Sequence, residues 1–526
     1  MSDNQLAVEV VRGEMQPWSD YNGKRGAVGG PALRTLLNDV LPAGARTLIV
    51  GPHTADLISL VVAKSSSTTL LVRSVSDAAD LSEQFTDLQV IAGALDGLSG
   101  TYEVVVAVDG LDRVLGYDSP DLSWPQRLDA LAALCTPSTV MVLGLENEFS
   151  LTNLLDSRLP ANRHGDDDWR PLHEDPARPV SAVQLASELA RVGLPLQSVY
   201  SSFNGSLLAV DVAAAARPGT LPARLAIEAL ESADVPLLAP IAEGAETAAR
   251  AGLLASTSTG WLAVTAAAEH AIYTERLMAD RAEGGWSIAA VAAETSDGDV
   301  RYDSSVVPTI VSAESTVETL LFRLAAAEDV PAFRELAGRL GEWALAQSGQ
   351  VILRWDDVVV DGDSFGFGVS GWIAEAGRGE LLAAAWVRFH ERLNGGHRRH
   401  PWPPWMVGDD LVTAWLAMSG GSAEDVARGK ELAAALSAAL GKTETQAPDV
   451  RTALADAEAA KQELFELQGH VFGLERTLGF RDKALKTRET RLREMRLQVQ
   501  KANAERTRFR NSRAFAAATL IRKAAL

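Results

Sequence analysis

The amino-acid sequence predicts an α/β protein whose first half is a doubly wound sheet of parallel strands. Two observations carry this prediction: short apolar runs alternate with helical patterns, and polar turn residues follow each run. Runs of this kind are typical of strands that helices cover on both faces. The predicted strands are residues 47–50, 69–72, 88–91, 102–108 and 139–143, and the helices between them are residues 55–64, 78–85 and 124–134.

The carboxyl ends of these strands are the places to search for chemistry, because short crossovers give a right-handed sheet that binds ligands at this edge. Polar or turn-forming residues stand at each of these ends. They are Gly51 and His53, Arg73 and Ser74, Asp96, Asp109, and the pair Glu146 and Asn147.

Length, charge and cysteine content bound the class of protein. The chain has 526 residues and a formal net charge of −20, which argues against a broad nucleic-acid surface. At roughly 100–200 residues per domain, this length corresponds to two to four domains. The single cysteine, Cys135, excludes an intrachain disulfide and fits a reducing cytoplasm. The N-terminus lacks the order of a secretory signal, so we expect a cytoplasmic protein.

Changes in composition divide the chain into five segments. We expect an N-terminal segment (1–29), the sheet domain (30–215), an accessory α+β domain (216–442), a linker (443–450) and a basic coiled coil (451–526). The boundary between the sheet domain and the accessory domain falls at a Pro-Gly turn, Pro218-Gly219. The accessory domain has predicted helices at 221–232, 242–254, 317–327 and 330–347, and predicted strands at 286–293 and 306–311.

A seven-residue apolar repeat runs through the last segment. Leu464, Val471, Leu478, Leu485, Leu492 and Val499 form one series, and the series three residues later is Leu467, Leu474, Arg481, Arg488, Met495 and Ala502. This pattern favours a coiled coil that pairs with itself or with a partner protein. The alternative is a solvated helix that packs on its own domain.

The end of the chain is both basic and apolar. Residues 476–526 contain 15 Lys or Arg and 4 Asp or Glu, a net charge of 15 − 4 = +11. Phe509, Phe515, Leu520 and Ile521 are interleaved with these cations. A basic amphipathic helix of this kind can lie on the anionic inner face of a cell membrane, and the alternative is a frayed terminus.

Residues 30–212 resemble the class I S-adenosylmethionine-dependent methyltransferases, and most closely a bacterial subgroup associated with surface-polysaccharide glycosyltransferases. The resemblance is carried by the strand and helix order, by Glu146-Asn147 after the fifth strand, and by Val192-Gly193-Leu194 after a later helix. It implies a Rossmann-like sheet, S-adenosylmethionine as cofactor and a sugar or polysaccharide-linked acceptor.

The resemblance also implies roles for individual residues. Gly51, His53, Ser74, Asp96 and Asp109 fall at cofactor-binding positions, and Glu146 and Asn147 at positions near the acceptor. The sequence departs from the family pattern, because only Gly51 remains of the glycine-rich turn and Ser74 or Arg73 replaces the acidic ribose ligand. No catalytic base is assigned; His53, His164, His173 and the aspartates at 166–168 are candidates by residue type alone.

The stretch at residues 351–372 faintly resembles the catalytic segment of kinase-like phosphotransferases. Asp356 or Asp357 matches its first aspartate, but Ser370 or Gly371 stands where a metal-binding aspartate is expected. The alternative is a plain β-hairpin that turns at residues 361–363. The run at 397–405, rich in arginine, proline and tryptophan, suits sugar rings or phosphates, or else a packed loop.

Two functional hypotheses follow. The first is a methyltransferase-like enzyme that O-methylates a sugar in surface-polysaccharide assembly. The second is a catalytically inactive scaffold of the same fold, which recruits glycosyltransferases or a membrane surface through its coiled coil. A phosphotransferase activity of the accessory domain is a third, weaker hypothesis.

Overall fold

The computed structural model describes residues 8–16, 18–22, 25–156, 158, 175–205, 208–213, 220–232, 235, 237–238, 240–291, 296–396, 398–403, 405–406, 408–440 and 450–524. The chain forms two compact units, Met1–Glu444 and Thr445–Leu526. The predicted linker and the candidates His164, His173 and the aspartates at 166–168 lie outside the described residues.

A single sheet runs through the first unit. Among the described residues it has thirteen strands, in the order β1-β4-β3-β2-β5-β6-β9-β7-β8-β10-β11-β12-β15. Its strands are β1 (Glu9–Val10), β2 (Ala45–Val50), β3 (Ser65–Val72), β4 (Leu88–Ala92), β5 (Tyr102–Ala107), β6 (Cys135–Glu146), β7 (Ser198–Phe203), β8 (Leu208–Asp211), β9 (Gly260–Val264), β10 (Ile272–Thr274), β11 (Leu277–Ala282), β12 (Gly285–Ala290) and β15 (Ile310–Ser312).

The first half of this sheet is doubly wound, as predicted. Strands β4-β3-β2-β5-β6 are parallel and follow the order 3-2-1-4-5 when counted from β2, which is the order of a Rossmann-like sheet. The helices of this half are α1 (Pro31–Val40), α2 (Ala55–Lys64), α3 (Val75–Gln84), α4 (Trp124–Ala132), α5 (Leu151–Leu155) and α6 (Ala182–Arg191). Helices α1 to α3 pack on one face of the sheet, and α4 and α6 on the other.

Strand β9 joins the two halves of the first unit. It lies between β6 and β7 and is antiparallel to both of them. In the chain it comes only after helices α7 (Leu221–Glu231) and α8 (Ile241–Arg250). The sheet therefore continues through the boundary predicted at residues 215 and 216, since β9 belongs by sequence to the predicted accessory domain.

The second half of the first unit packs helices against the antiparallel end of the sheet. Its helices are α9 (Val317–Ala326), α10 (Val330–Ala346), α11 (Arg378–Gly395), α12 (Asp409–Met418) and α13 (Val426–Ala439), and its small strands are β13 (Ser296–Asp297), β14 (Val300–Tyr302), β16 (Val359–Asp361), β17 (Ser364–Gly366) and β18 (Trp372–Ala374). Phe333, Trp386, Phe389 and Trp415 are at most 1% exposed and form the aromatic centre of this core.

The second unit consists of α14 (Val450–Arg510), 61 residues long, and α15 (Arg513–Ala524). The apolar residues of the seven-residue repeat in α14 are 52–65% exposed. The helix confirms the predicted helical periodicity, whereas the coiled-coil pairing stays a prediction. None of the described helices combines the length and the hydropathy that crossing a membrane requires.

Candidate functional site

The carboxyl edge of the parallel strands brings two of the predicted cofactor residues together. Gly51 ends β2 with a φ of +89°, and Asp109 follows β5. A Cβ on Gly51 would lie 3.1 Å from a carboxylate oxygen of Asp109. Glycine at position 51 is therefore required both by the left-handed backbone and by this close approach.

The N-terminal segment, defined here as the described residues between 8 and 30, covers this edge. Strand β1 pairs in parallel with β4, and isolated bridges join Met15 to Ser74 and Val28 to His53. The Met15 side chain is completely buried. A segment of the chain itself therefore lies where the sequence predicted a ligand cleft.

Asp109 binds the N-terminal segment through an arginine. The Arg113 guanidinium donates to both carboxylate oxygens of Asp109, at 2.9 and 2.6 Å, and both side chains are at most 4% exposed. Arg113 also donates to the backbone carbonyls of Arg25 and Gly26, at 2.8 and 2.9 Å. The carboxylate assigned to the methionine end of the cofactor thus belongs to a buried network.

The residues that follow β3, Arg73 and Ser74, also contact the N-terminal segment. Arg73 Nε donates to Asp20 at 3.0 Å, and the two side chains are 1% and 2% exposed. Burial raises the pKa of Asp20, but the hydrogen bond and the charge of Arg73 outweigh it, so this pKa lies below its ordinary value. Ser74 Oγ donates to the Trp18 carbonyl at 2.5 Å and accepts from the Asp77 amide as the N-cap of α3.

Asp96 and His53 are also engaged within the chain. Asp96 forms an ion pair with Arg12 and accepts a hydrogen bond from Ser119 at 2.8 Å. His53 Nδ1 lies 2.8 Å from the Gly51 carbonyl, while its buried Nε2 has no hydrogen-bond partner in the described part of the chain. Burial lowers the pKa of His53, so the ring is neutral at pH 7 and is poorly suited to bind an anion.

Glu146 and Asn147, predicted to lie near the acceptor substrate, contact other parts of the chain. A Glu146 carboxylate oxygen lies 3.4 Å from the Arg25 guanidinium of the N-terminal segment. The Asn147 amide donates to the carbonyls of Ser256 and Ser258, each at 2.8 Å. Asn147 therefore fixes the loop that precedes β9, which explains an asparagine at the end of β6 without any ligand.

The geometry of this edge can be tested against S-adenosylmethionine. The cofactor needs backbone that it can approach closely and, for its ribose hydroxyls, charge-assisted acceptors. Here the N-terminal segment occupies the space through which the cofactor would reach the backbone. The cation Arg73 stands where an acidic residue is expected, and Asp109 is already paired with Arg113. The residues present do not fit the cofactor in this conformation.

A second candidate site lies in the other half of the first unit. It is a cavity of about 810 Å³, hereafter the arginine cavity, bounded by α7, α8, α9, α11 and the segment at 354–372. Its wall contains ion pairs whose arginines are at most 16% exposed. Arg354 pairs with Glu228 at 2.8 Å and Asp356 at 2.7 Å, and Arg392 pairs with Glu231 at 2.8 Å and Glu318 at 2.7 Å.

Burial and neighbouring charges act in opposite directions on these carboxyl groups. Burial raises the pKa of Asp356, but the charges of Arg354, Arg388 and Arg392 hold it well below its ordinary range. The pKa of Glu318 is raised, because its burial outweighs the charge of Arg392. These carboxyl groups are therefore engaged by arginines and are not free acids.

The sequence signal that points to this cavity is the stretch at 351–372. The predicted hairpin is observed, with β16 and β17 joined at Gly362, whose φ is +58°. Asp357 accepts from the Val369 and Ser370 amides, each at 2.9 Å, so its carboxylate holds backbone. Among the described residues, no three His, Cys, Asp or Glu side chains are grouped so as to hold a metal ion.

The tryptophan-rich run at 397–405 is divided between core and cavity. Trp402 is 9% exposed and packs on Phe333 and Trp415, with ring centroids 5.0 and 4.9 Å apart. Arg398 lines the arginine cavity, where it pairs with Glu246. The packed-loop interpretation therefore describes Trp402, and sequence reasoning did not connect Arg398 with the residues at 351–372.

No protein-family model matches the chain, and no curated protein matches it either. Solved structures of methyltransferases are similar to parts of it. The N-methyltransferase NodS of Bradyrhizobium japonicum, solved with S-adenosyl-L-homocysteine, is 14% identical, with a TM-score of 0.18 over 22% of this chain and 59% of that chain. A TehB-like methyltransferase from Corynebacterium glutamicum is 13% identical, with a TM-score of 0.22 over 32% of this chain and 77% of that chain.

A further similar structure is described as a [4+2]-cyclase, SpnF. It is 12% identical, with a TM-score of 0.26 over 47% of this chain and 86% of that chain. At such identities and TM-scores the likeness decides nothing about chemistry. The Rossmann-like assignment rests on the strand order of the chain itself, and function must be argued from its sites.

Proposed function

We propose that this chain is a methyltransferase-fold protein that does not use S-adenosylmethionine and that acts as a scaffold. The closure of the sheet edge by the N-terminal segment supports this proposal. Arg73, Asp96 and Asp109, at positions where cofactor contacts were predicted, each pair with a residue of the chain. A cofactor would have to displace the buried pairs of Arg73 and Asp109, and each displaced pair would leave a buried charge without its partner.

Titration calorimetry of the full-length protein tests the first half of the proposal. S-adenosylmethionine and S-adenosyl-L-homocysteine, each added to millimolar concentration, should release no heat of binding. Thermal unfolding gives a second readout, since a ligand that binds only the folded state raises Tm. Micromolar binding of either compound would contradict the proposal and favour the methyltransferase hypothesis, with sugar O-methylation as the activity to assay.

The scaffold role is supported by the apolar series of α14. A solitary helix of 61 residues gains little stability from its own backbone, and the exposed series offers a seam for a second helix. The occupant we propose is a second copy of α14 in parallel. Each arginine in the seam, Arg481 and Arg488, is followed by an acid, Asp482 or Glu489, so a partner's carboxylate would lie beside each guanidinium.

Light scattering after size-exclusion chromatography tests this pairing. The full-length protein should have twice the chain mass of 56.0 kDa. A variant with Leu478→Ala and Leu485→Ala should dissociate at higher concentration than the wild type. The control is Phe465→Ala with Phe472→Ala, which removes two apolar side chains that lie outside the seam and are 77% and 68% exposed, against 59% and 56% for Leu478 and Leu485. A wild-type monomer, or equal dissociation of both variants, would contradict the pairing.

The resemblance further leads us to propose a role in surface-polysaccharide assembly, with glycosyltransferases and the inner face of the cell membrane as partners. The membrane contact is supported by the junction of α14 and α15, where the ring of Phe509 in α14 lies 5.6 Å from the ring of Phe515 in α15, among basic residues. Vesicles with anionic lipid should sediment the wild type but not a Phe515→Ser, Ile521→Ser variant. Equal sedimentation of the two proteins would count against membrane contact.

A further inference from the structure

The arginine cavity contains several buried polar groups that have no hydrogen-bond partner. Among the described residues that line it, these groups are the Nε atoms of Arg224, Arg276 and Arg398, Nη2 of Arg224, and the hydroxyls of Tyr302 and Ser370. Tyr302 and Ser370 are 3% and 8% exposed. Buried polar groups in folded proteins are nearly always hydrogen-bonded, so a cluster of exceptions marks a place where water or a bound ligand supplies the partner.

The unpartnered groups are mostly donors. A guanidinium can only donate, and the two hydroxyls can donate as well as accept. Arg224 Nη1 already donates to the Asp357 carbonyl and carboxylate at 3.2 and 3.3 Å, and the same carboxylate accepts two backbone amides. Asp357 therefore has little capacity left for the rest of the Arg224 guanidinium. The missing partner must supply acceptor oxygens.

The charge of Arg224 is also incompletely balanced. Burial lowers its pKa, and the charges of Asp357 and Asp356 only partly compensate. Arg276 is held in position by the rings of Tyr302 and Trp372, whose centroids lie 5.3 and 4.8 Å from its guanidinium carbon. Fixed arginines with free donors favour an anion with several oxygens, for which the planar guanidinium fork is well suited.

The rest of the cavity wall suits a hydroxyl-bearing group attached to that anion. Glu228, Glu231 and Glu318 line the same cavity and pair with arginines. A carboxylate has about four lone-pair sites, so a glutamate that pairs with an arginine can also accept from a ligand hydroxyl. A volume of about 810 Å³ lies within the range typical of small-molecule sites.

We propose that the arginine cavity binds a phosphate monoester of a polyhydroxylated compound, such as a sugar phosphate. The phosphate oxygens accept from Arg224, Arg276, Tyr302 and Ser370, and the hydroxyls of the body donate to the glutamates. The site is independent of the sheet edge, and its existence does not depend on the scaffold function proposed above.

Thermal unfolding and calorimetry with four probes test this proposal on the full-length protein. The probes are inorganic phosphate, glucose 6-phosphate, glucose and citrate, each at millimolar concentration. Glucose 6-phosphate should raise Tm most and inorganic phosphate less, while glucose and citrate should leave it unchanged. No shift with either phosphate probe, or an equal shift with citrate or glucose, would overturn the proposal.

A variant with Tyr302→Phe and Ser370→Ala separates binding from folding. Neither hydroxyl has a hydrogen-bond partner among the described residues, so their removal should leave the midpoint of urea unfolding unchanged or raised. The affinity for glucose 6-phosphate should nevertheless fall by about tenfold for each lost hydrogen bond. Unchanged affinity in this variant would overturn the proposal.

The matched control is Tyr200→Phe. This tyrosine is as buried as Tyr302, but its hydroxyl donates to the His270 carbonyl at 2.7 Å, outside the cavity. The control should lower the unfolding midpoint and leave the affinity unchanged. An equal loss of affinity in the control would assign the effect of Tyr302→Phe to general loosening of the fold and overturn the proposal.

Discussion

Arg73 and Asp20 form an ion pair whose two side chains are 1% and 2% exposed, with Arg73 Nε 3.0 Å from the carboxylate. The pair joins the end of a central strand to the N-terminal segment across 53 positions of sequence. It is one of the buried contacts that hold the N-terminal segment on the sheet edge. Arg73 also lies beside the Trp18 ring, 5.5 Å from its centroid, so the guanidinium has a second fixed neighbour.

The first prediction follows from this pair. Asp20→Ala should destabilise the protein by about 3–5 kcal/mol, because it leaves the Arg73 charge buried without a partner. Urea unfolding measures the change. The control is Asp129→Ala, which breaks an exposed pair with Arg191 and should cost at most about 1 kcal/mol. If both variants lost the same small amount, the sheet edge would be open to water in solution.

A second prediction concerns the contact between Gly116 and Gly13. A Cβ on Gly116 would overlap the Gly13 carbonyl oxygen, which belongs to the N-terminal segment. Gly116→Ala should therefore displace the segment and destabilise the protein by about 1–3 kcal/mol. Trypsin should also cleave the variant faster at Arg12 and Arg25.

Gly26→Ala is the control for this displacement. Gly26 lies in the same segment, but a Cβ there would meet nothing within 4 Å. Its unfolding free energy should stay within about 0.5 kcal/mol of the wild type. Equal trypsin sensitivity in Gly116→Ala and the wild type would show that the segment does not rest on Gly116.

The sequence predicted the parallel half of the sheet well, because local patterns determine those elements. Apolar runs and helical spacing gave helix Ala55–Lys64 and located β2 to β6. The N-terminal segment carries no such pattern. It is held by single bridges, such as Met15 with Ser74, and by buried ion pairs. Contacts of this type depend on the folded chain, so its role could not be read from periodicity.

The sequence predicted more of the sheet-edge site than of the arginine cavity. The positions of the strand ends identified Gly51 and Asp109, which lie close together in the structure. The sequence did not predict Arg113 as the partner of Asp109 or Asp20 as the partner of Arg73. The arginine cavity combines Arg224 with residues more than a hundred positions later, among them Ser370. The stretch at 351–372 and the run at 397–405 each contributed residues to it, but unpartnered donors become visible only in the folded structure.

A third prediction concerns pH. Burial lowers the pKa of His53 in the folded state below its ordinary value of 6.5. As pH falls below about 6.5, the unfolded chain binds a proton at this ring and the folded chain does not. Stability should then fall by up to about 1.4 kcal/mol per pH unit, until the folded-state pKa is reached.

His53→Asn isolates this contribution. The asparagine side chain can keep a hydrogen bond to the Gly51 carbonyl, to which His53 Nδ1 lies 2.8 Å away, and it does not titrate. The difference in unfolding free energy between wild type and variant should therefore shift against the wild type between pH 7.5 and pH 5. A difference that is constant with pH would contradict a buried, neutral His53.

A fourth prediction concerns the reactivity of the single cysteine. Cys135 is half-buried, and burial raises the pKa of its thiol to about 11. At pH 8 roughly one such thiol in a thousand is ionised, against roughly a quarter of thiols with an ordinary pKa near 8.5.

Because the thiolate is the nucleophile, Ellman's reagent should react about a hundredfold more slowly with the folded protein than with the urea-unfolded chain. The folded-state rate should rise about tenfold per pH unit between pH 7 and pH 9. A folded-state rate close to that of the unfolded chain would mean that the end of α4, where Cys135 Sγ lies 3.4 Å from the Leu131 carbonyl, opens readily to solvent.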